Sequence, residues 1–200
     1  MTLRQRVFSG IYRRAETPES LPWHRDAPDL LRTAAGQRNG GRVLDVGCGT
    51  GVHAVYLAAL GFSVVAVDFV PTALEHARRR ADAAGVELEL VLCDVLAYEP
   101  VAGFDLVVDS GCLHHVASAK VGVYRAQLDR WLLPGGDYLL VHFAKRHPLD
   151  WRPVGPRRVE KSAILRLFAP LPLKGYDETV FDLSFPIGRS LAGIYWFQRS

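Results

Sequence analysis

Between Arg42 and Phe143 the chain alternates two apolar patterns. Short continuous runs of valine, leucine and isoleucine read as strands buried on both faces, and longer stretches with apolar residues every three or four positions read as helices. The first run, Arg42 to Val46, predicts a strand, and Val52 to Leu60 a helix stopped by Gly61. Ser63 to Val67 predicts a second strand. Pro71 to Ala84 predicts a helix with proline in its first turn and Gly85 after it. Strands over Glu87 to Cys93 and Phe104 to Asp109, a helix over Ala119 to Trp131, a turn at Pro134-Gly135-Gly136 and a strand over Tyr138 to Phe143 follow. Strands alternating with helices imply a parallel sheet covered on both faces.

The flanks read differently. Met1 to Arg14 predicts a helix with Val7, Phe8, Ile11 and Tyr12 near one face. Thr17 to Asp26 reads as a lid or loop, and Ala27 to Ala35 as a short helix. After the core, Arg158 to Phe168 predicts a helix. Val180 to Phe185 and Ala192 to Phe197 predict strands joined through Pro186-Ile187-Gly188, which pair most easily as an antiparallel hairpin. The expected fold is therefore α/β, doubly wound and Rossmann-like, with an antiparallel edge. The expected organisation is a single domain over 1–200, with N-terminal helices and lid in 1–36, a ligand-binding core in 42–143, and a substrate-side insertion and terminal hairpin in 144–200.

Composition narrows the class. Hydrophobic residues make up 49% of the 200, enough for a substantial core, and a formal charge of +3 is too small to argue for nucleic acid. The three cysteines, Cys48, Cys93 and Cys112, have neither zinc spacing nor an even count. With a polar, basic Met1 to Arg14 and no apolar run of about 20 residues, the expectation is a soluble cytoplasmic protein without a metal.

The chemistry lies where strands end. In an open parallel sheet, ligands bind beyond the carboxyl ends of the strands, where the strand order reverses. The first strand ends in Asp45 and the turn Gly47-Cys48-Gly49-Thr50-Gly51, the second in Asp68-Phe69, the third in Asp94-Val95, and the fourth in Asp109-Ser110-Gly111 with His114 and His115 beyond. Glycines let a ligand lie against the backbone. Carboxylates crowded on one rim raise one another's pKa and suit a polyhydroxylated, cationic ligand. Asp68, about 20 residues beyond the turn, is placed for two ribose hydroxyls. Asp94 suits the exocyclic amine of an adenine, Phe69 and Val95 its two faces, and Asp45 an ammonium group.

These motifs together resemble the class I S-adenosylmethionine-dependent methyltransferases. VLDVGCGTG is similar to their first motif, VVAVDF to their second, LCDV to their adenine-binding motif, FDLVVDSGCLHHV to the strand that faces the substrate, and LLPGGDYLLV to the turn and fifth strand. The resemblance spans roughly Arg42 to Phe143. It implies a seven-stranded sheet in the order 3-2-1-4-5-7-6 with strand 7 antiparallel, S-adenosylmethionine as cofactor and S-adenosylhomocysteine as product. The glycines at Gly47, Gly49 and Gly51 depart from the G-x-G-x-x-G of dinucleotide folds.

His114 and His115 are the candidate general bases beside the expected methyl position, with helix capping or packing as the other role for either. Ser110, with Asp109, is a candidate contact to the methionine portion or the acceptor, or else a turn residue bonded to nearby backbone. A proline-tryptophan pair, Pro22-Trp23, resembles the cofactor-covering segment of thiopurine- and thiol-type methyltransferases and makes Trp23 a candidate cofactor contact. Trp151-Arg152-Pro153 and Arg157-Arg158 fall where the family inserts substrate-recognition elements, and suit an anionic or aromatic substrate or else a solvated loop. Arg78-Arg79-Arg80 reads as a solvated helix face. The expected reaction is methyl transfer to a small-molecule thiol, hydroxyl or amine. Methylation of nucleic acid or protein and a non-catalytic cofactor-binding module are the alternatives, and the oligomeric state stays open.

Overall fold

The computed structural model describes residues 3–15, 17–21, 24–146, 150, 157–182 and 188–200. Helix α1 (Leu3–Arg14) and α2 (Asp29–Gly36) precede β1 (Arg42–Val46), α3 (Val52–Ala59), β2 (Ser63–Asp68), α4 (Pro71–Ala84), β3 (Glu89–Leu92), β4 (Phe104–Ser110), α5 (Val121–Trp131), β5 (Leu132–Phe143), α6 (Lys161–Phe168), β6 (Leu173–Asp182) and β7 (Arg189–Gln198). The strands form one sheet in the order β3-β2-β1-β4-β5-β7-β6. The first five strands run parallel, and β7 is antiparallel to both β5 and β6. Both the order and the antiparallel strand are as the sequence implied.

The local rules account for most boundaries. Pro71 opens α4, where its missing N–H costs nothing. Gly85 closes it at φ 66°, with Val86 N–H bonding Ala81 C=O at 3.1 Å. Side chains alternate across the sheet. Leu44, Val46, Val65, Val67, Val107 and Leu140 pack with Tyr124, Leu128 and Trp131 of α5 and Phe168 of α6. Val43, Val64, Leu106, Val108 and Leu139 face Leu31 of α2 and Ala54 and Leu57 of α3.

Four expectations need correcting. The strand expected over Val180 to Phe185 is β6, Leu173–Asp182. Its exposed Lys174, Asp177 and Glu178 hide the period from sequence, because an edge strand has one wet flank, and long pairing with β7 holds it instead. The Pro134-Gly135-Gly136 turn lies inside β5, between the pairs Phe104↔Leu132 and Leu106↔Asp137, as a bulge with Gly135 at φ 74°. Helix α6 starts at Lys161 rather than Arg158, since Val159 is taken into a parallel bridge with Ala144. On α1, Val7 is 53% exposed and only Phe8, Ile11 and Tyr12 pack inward.

A buried carboxylate locks the β5–β7 junction. Asp137 accepts from Trp196 Nε1 at 2.8 Å, from Arg38 Nε at 2.7 Å and from Gln198 at 3.3 Å, tying the segment after α2 to the sheet. Asp137→Ala leaves the buried indole N–H and the guanidinium without their acceptor. It should cost about 3 kcal/mol in urea-unfolding stability, and Trp196→Phe about 1 kcal/mol.

Candidate active site

The strand order reverses between β1 and β4, so the turns leaving those strands meet. The approach is close: a Cβ on Gly47 would lie 2.9 Å from Cys112 Cβ. Gly47 also sits at φ 67° and donates to Val67 C=O at 2.8 Å. Gly51, at φ 74°, is the residue before α3, and a Cβ there would meet Ala77 of α4 at 2.9 Å. Two of the three motif glycines are therefore demanded by contacts inside the protein. Gly49 (φ 54°) remains a backbone surface at the cavity, and its N–H bonds Asp68 Oδ2 at 3.0 Å.

Beyond these turns lies a cavity of about 300 Å³. Asp45, Gly47, Cys48, Gly49, Asp68, Phe69, Ser110, His114 and His115 line it, so most of the residues picked from sequence converge on one chamber. Asp94 and Val95 are not among the lining residues. They follow β3, the sheet edge beyond β2: Asp94 caps a short turn by accepting Leu96 N–H at 3.0 Å, and Val95 is packed in the core. Trp23 and 151–156 lie outside the described residues.

The two ends of the chamber differ in charge. At the glycine end, Asp45 is 2% exposed and its Oδ2 has no hydrogen-bond partner. Burial, then the neighbouring Asp109 and Asp68 carboxylates, push it up to about 7, against a bond from the Ala54 backbone. Burial also raises Asp68, although the N–H groups of Val70 (2.8 Å) and Gly49 bind it. At the other end, burial drives His114 well below its usual range, with His115, His142 and Arg157 adding to the effect.

A run of rings joins the two ends. Centroid separations are 6.0 Å for Phe69–Phe8, 5.0 Å for Phe8–His115, 4.4 Å for His115–His114, 4.7 Å for His114–Phe143 and 6.0 Å for Phe143–Phe181. Arg25 stacks over Phe181 at 5.2 Å. Phe8, Ile11 and Tyr12 place α1 against this wall, so the N-terminal helix covers the chamber. Sequence reading missed Phe143, Phe181, His24, Arg25 and His53, all on the wall. A histidine in the first turn of an apolar helix such as α3 is the one signal that could have marked His53, which is buried with Nε2 unpartnered.

Asp109 is fully buried and turned away from the chamber. Its Oδ1 accepts the N–H groups of Gly111 (3.0 Å) and Cys112 (2.6 Å). Its Oδ2 accepts Leu113 N–H at 3.0 Å and Tyr124 Oη–H at 2.5 Å, and Tyr138 Oη lies 3.1 Å from Tyr124 Oη. It is thus Asp109, and not Ser110, that satisfies the turn, and it thereby shapes the segment carrying Ser110, His114 and His115. Burial raises it to about 6 against these donors. Among the described residues no group of histidine, cysteine and acidic side chains could hold a metal ion.

Comparison with known proteins matches residues 43–136 to a methyltransferase-domain family. The chain is 33% identical over 186 residues to a ubiquinone biosynthesis O-methyltransferase of Methylocella silvestris, covering 82% of this chain and 68% of that protein. The chain belongs to the class I S-adenosylmethionine-dependent methyltransferases. This is an enzyme family whose cofactor is S-adenosylmethionine. A 2-heptyl-1-hydroxyquinolin-4(1H)-one methyltransferase of Mycobacteroides abscessus is 32% identical over 151 residues, covering 70% of this chain and 65% of that protein. The chain thus spans about two thirds of the length of these curated relatives. Among solved structures, one described for conversion of a disulfide bond into a thioacetal group during echinomycin biosynthesis superposes with a TM-score of 0.72 at 27% identity, covering 98% of this chain and 91% of that one.

The Asp109 bracket is testable by stability. Tyr124→Phe should cost about 1.5 kcal/mol and Asp109→Ala, which strands three backbone N–H groups, about 4 kcal/mol in denaturant unfolding. Equal, negligible losses would show the turn to be held by other contacts.

Proposed function

We propose that this methyltransferase acts on a small, flat, largely apolar molecule carrying a hydroxyl, thiol or amine. The observation that carries this is the single chamber in which a buried, partnerless carboxylate oxygen at one end faces a wall of rings at the other, under the cover of α1. A chamber of about 300 Å³ closed by a helix suits a cofactor and a small acceptor better than a polymer. The two relatives, a ubiquinone biosynthesis O-methyltransferase and a 2-heptyl-1-hydroxyquinolin-4(1H)-one methyltransferase, point the same way, toward small molecules.

The residues present fit the cofactor. Asp45 Oδ2, buried without a donor, is where an ammonium group would sit, and Gly49 offers bare backbone beside it. Asp68, with lone pairs left beyond its two backbone donors, is positioned for ribose hydroxyls, and Phe69 for a face of the base. Gly47 and Gly51 set the turn's shape, and Ser110 stands on the facing strand end. Asp94 and Val95 on the next strand end, and Trp23 ahead of α2, complete the proposed cofactor contacts. When bound, S-adenosylmethionine supplies a methyl group already activated on a sulfonium. The chain then has to align the nucleophile, exclude water and manage one proton. His114 and His115 face the acceptor end, and His114, held neutral by burial, can accept or donate a hydrogen bond there. The three cysteines, with Cys48 pushed up by burial, suit a reducing cytoplasm and small packing roles. Among the described residues no helix is long and apolar enough to cross a membrane.

Calorimetry with S-adenosylhomocysteine checks the cofactor side. Asp68→Ala should weaken binding by about 2 kcal/mol through loss of two charge-assisted bonds. Asp45 must be ionised to meet an ammonium, and in the free protein it is protonated below about pH 7. Affinity should therefore fall as pH drops through that value, by at most about tenfold per unit, and Asp45→Asn should flatten the slope. Incubation with S-adenosylmethionine and a panel of phenols, thiols and amines, read by mass spectrometry, tests turnover. His114→Ala should lower that rate at least tenfold. Methylation of none of the panel, with cofactor bound, would leave the chain a cofactor-binding module.

A further inference from the structure

Around the His114 turn, three buried nitrogens lack partners: His114 Nδ1, His142 Nε2 and Arg157 Nε. His142 is 1% exposed, and its Nδ1 lies 2.9 Å from Phe143 O. Its ring meets His114 edge-on at 5.6 Å. Arg157 is pinned beside the same turn, donating its backbone N–H to His114 C=O at 3.4 Å and Nη1 to Ser118 Oγ at 3.3 Å. Sequence alone leaves Arg157 between a solvated loop and an anion contact. The structure half-buries it with no ion pair to any described residue.

Half-burying a guanidinium without a carboxylate beside it carries a cost, and proteins normally answer it with an acid. Among the described residues none is supplied. The groups that act on His114 are His115 on its own turn, His142 on β5 and Arg157 ahead of α6, and each opposes positive charge on it. His142 is likewise held down, to about 4, by burial, Arg157 and His115, against its bond to Phe143 O. The nearby acids are committed elsewhere. Asp109 serves the turn and Tyr124, while Asp45 and Asp68 stand at the glycine end. The His114 end is thus a set of imidazoles in the field of Arg157, with Arg25 over Phe181 farther along the wall, and among the described residues neither guanidinium has an ion pair.

Resting on the methyltransferase reading above, we propose that the acceptor binds as an anion, an aromatic molecule whose hydroxyl or thiol is already ionised and settles against His114 in the field of Arg157. The nucleophile's own lone pair then forms the bond to the methyl carbon as the carbon–sulfur bond breaks and its electron pair returns to sulfur. The proton has left to solvent before binding, so His114 donates a hydrogen bond to the anion rather than removing a proton from it. Arg157 is a positioning residue that acts through charge.

The test uses 4-nitrophenol, whose phenolate absorbs in the visible and whose phenol does not, added to the full chain saturated with S-adenosylhomocysteine. Expected is binding of the phenolate, with the bound probe ionising about one pH unit below the free probe, and nitrobenzene binding at least tenfold more weakly. Arg157→Met should return the probe's ionisation to its free value, and Arg157→Lys should keep most of the shift. Binding as the neutral phenol, nitrobenzene binding as well as the phenolate, or no probe binding while S-adenosylhomocysteine binds would each overturn the inference. So would an unaltered shift in Arg157→Met. If Arg157→Met does not fold, the phenolate–nitrobenzene comparison in the unaltered chain still decides. Failure to bind S-adenosylhomocysteine at all would instead remove the reading on which the inference rests.

Discussion

The close approach of the turns leaving β1 and β4 organises everything else in this molecule. A parallel sheet whose order reverses there must leave a crevice, because the connections depart to opposite faces. Here the crevice is pinched until Gly47 and Cys112 leave no room for a Cβ between them. That contact sets the glycine turn against the Ser110–His115 segment. One chamber thereby gains a carboxylate-lined end and a histidine-lined end.

The two ends are stabilised by opposite means. The glycine end holds buried carboxylates, with Asp45 pushed up by burial and by its Asp109 and Asp68 neighbours. The histidine end holds imidazoles and a half-buried guanidinium with no ion pair among the described residues. Between them Asp109 converts a charge into geometry. Its carboxylate gathers three backbone N–H groups and a tyrosine hydroxyl, so the histidine-bearing turn is rigid without spending a group that faces the ligand. A cationic cofactor and an anionic nucleophile would together neutralise a chamber that is electrostatically incomplete alone.

The core was legible because its elements obey local rules. Continuous apolar runs mark the buried parallel strands, and Pro71 and Gly85 frame α4. The misreadings cluster where tertiary pairing overrides local signals. Strand β6 is polar along much of its length and exists because β7 pairs with it. The Pro134-Gly135-Gly136 sequence reads as a turn and is a bulge because β4 and β7 flank it on both sides. In the site, the acids at strand ends were legible from position alone. Their separate tasks were not, since Asp109 and Ser110 are adjacent in sequence and point to opposite sides of a strand.

Sequence by itself determined the alternating strands and helices of the parallel core, and its motifs, by their resemblance to a family, implied the strand order and the cofactor. Only the tertiary structure decided that Gly47 and Gly51 are demanded by contacts inside the protein, that Asp94 and Val95 lie off the chamber wall, and that Arg157 stands by the His114 turn with no ion pair among the described residues. The physical reason is range. Periodicity and turn chemistry act over a few residues, whereas burial, ring contacts and uncompensated charge arise between segments such as Phe8, His142 and Arg157, which only the fold brings together.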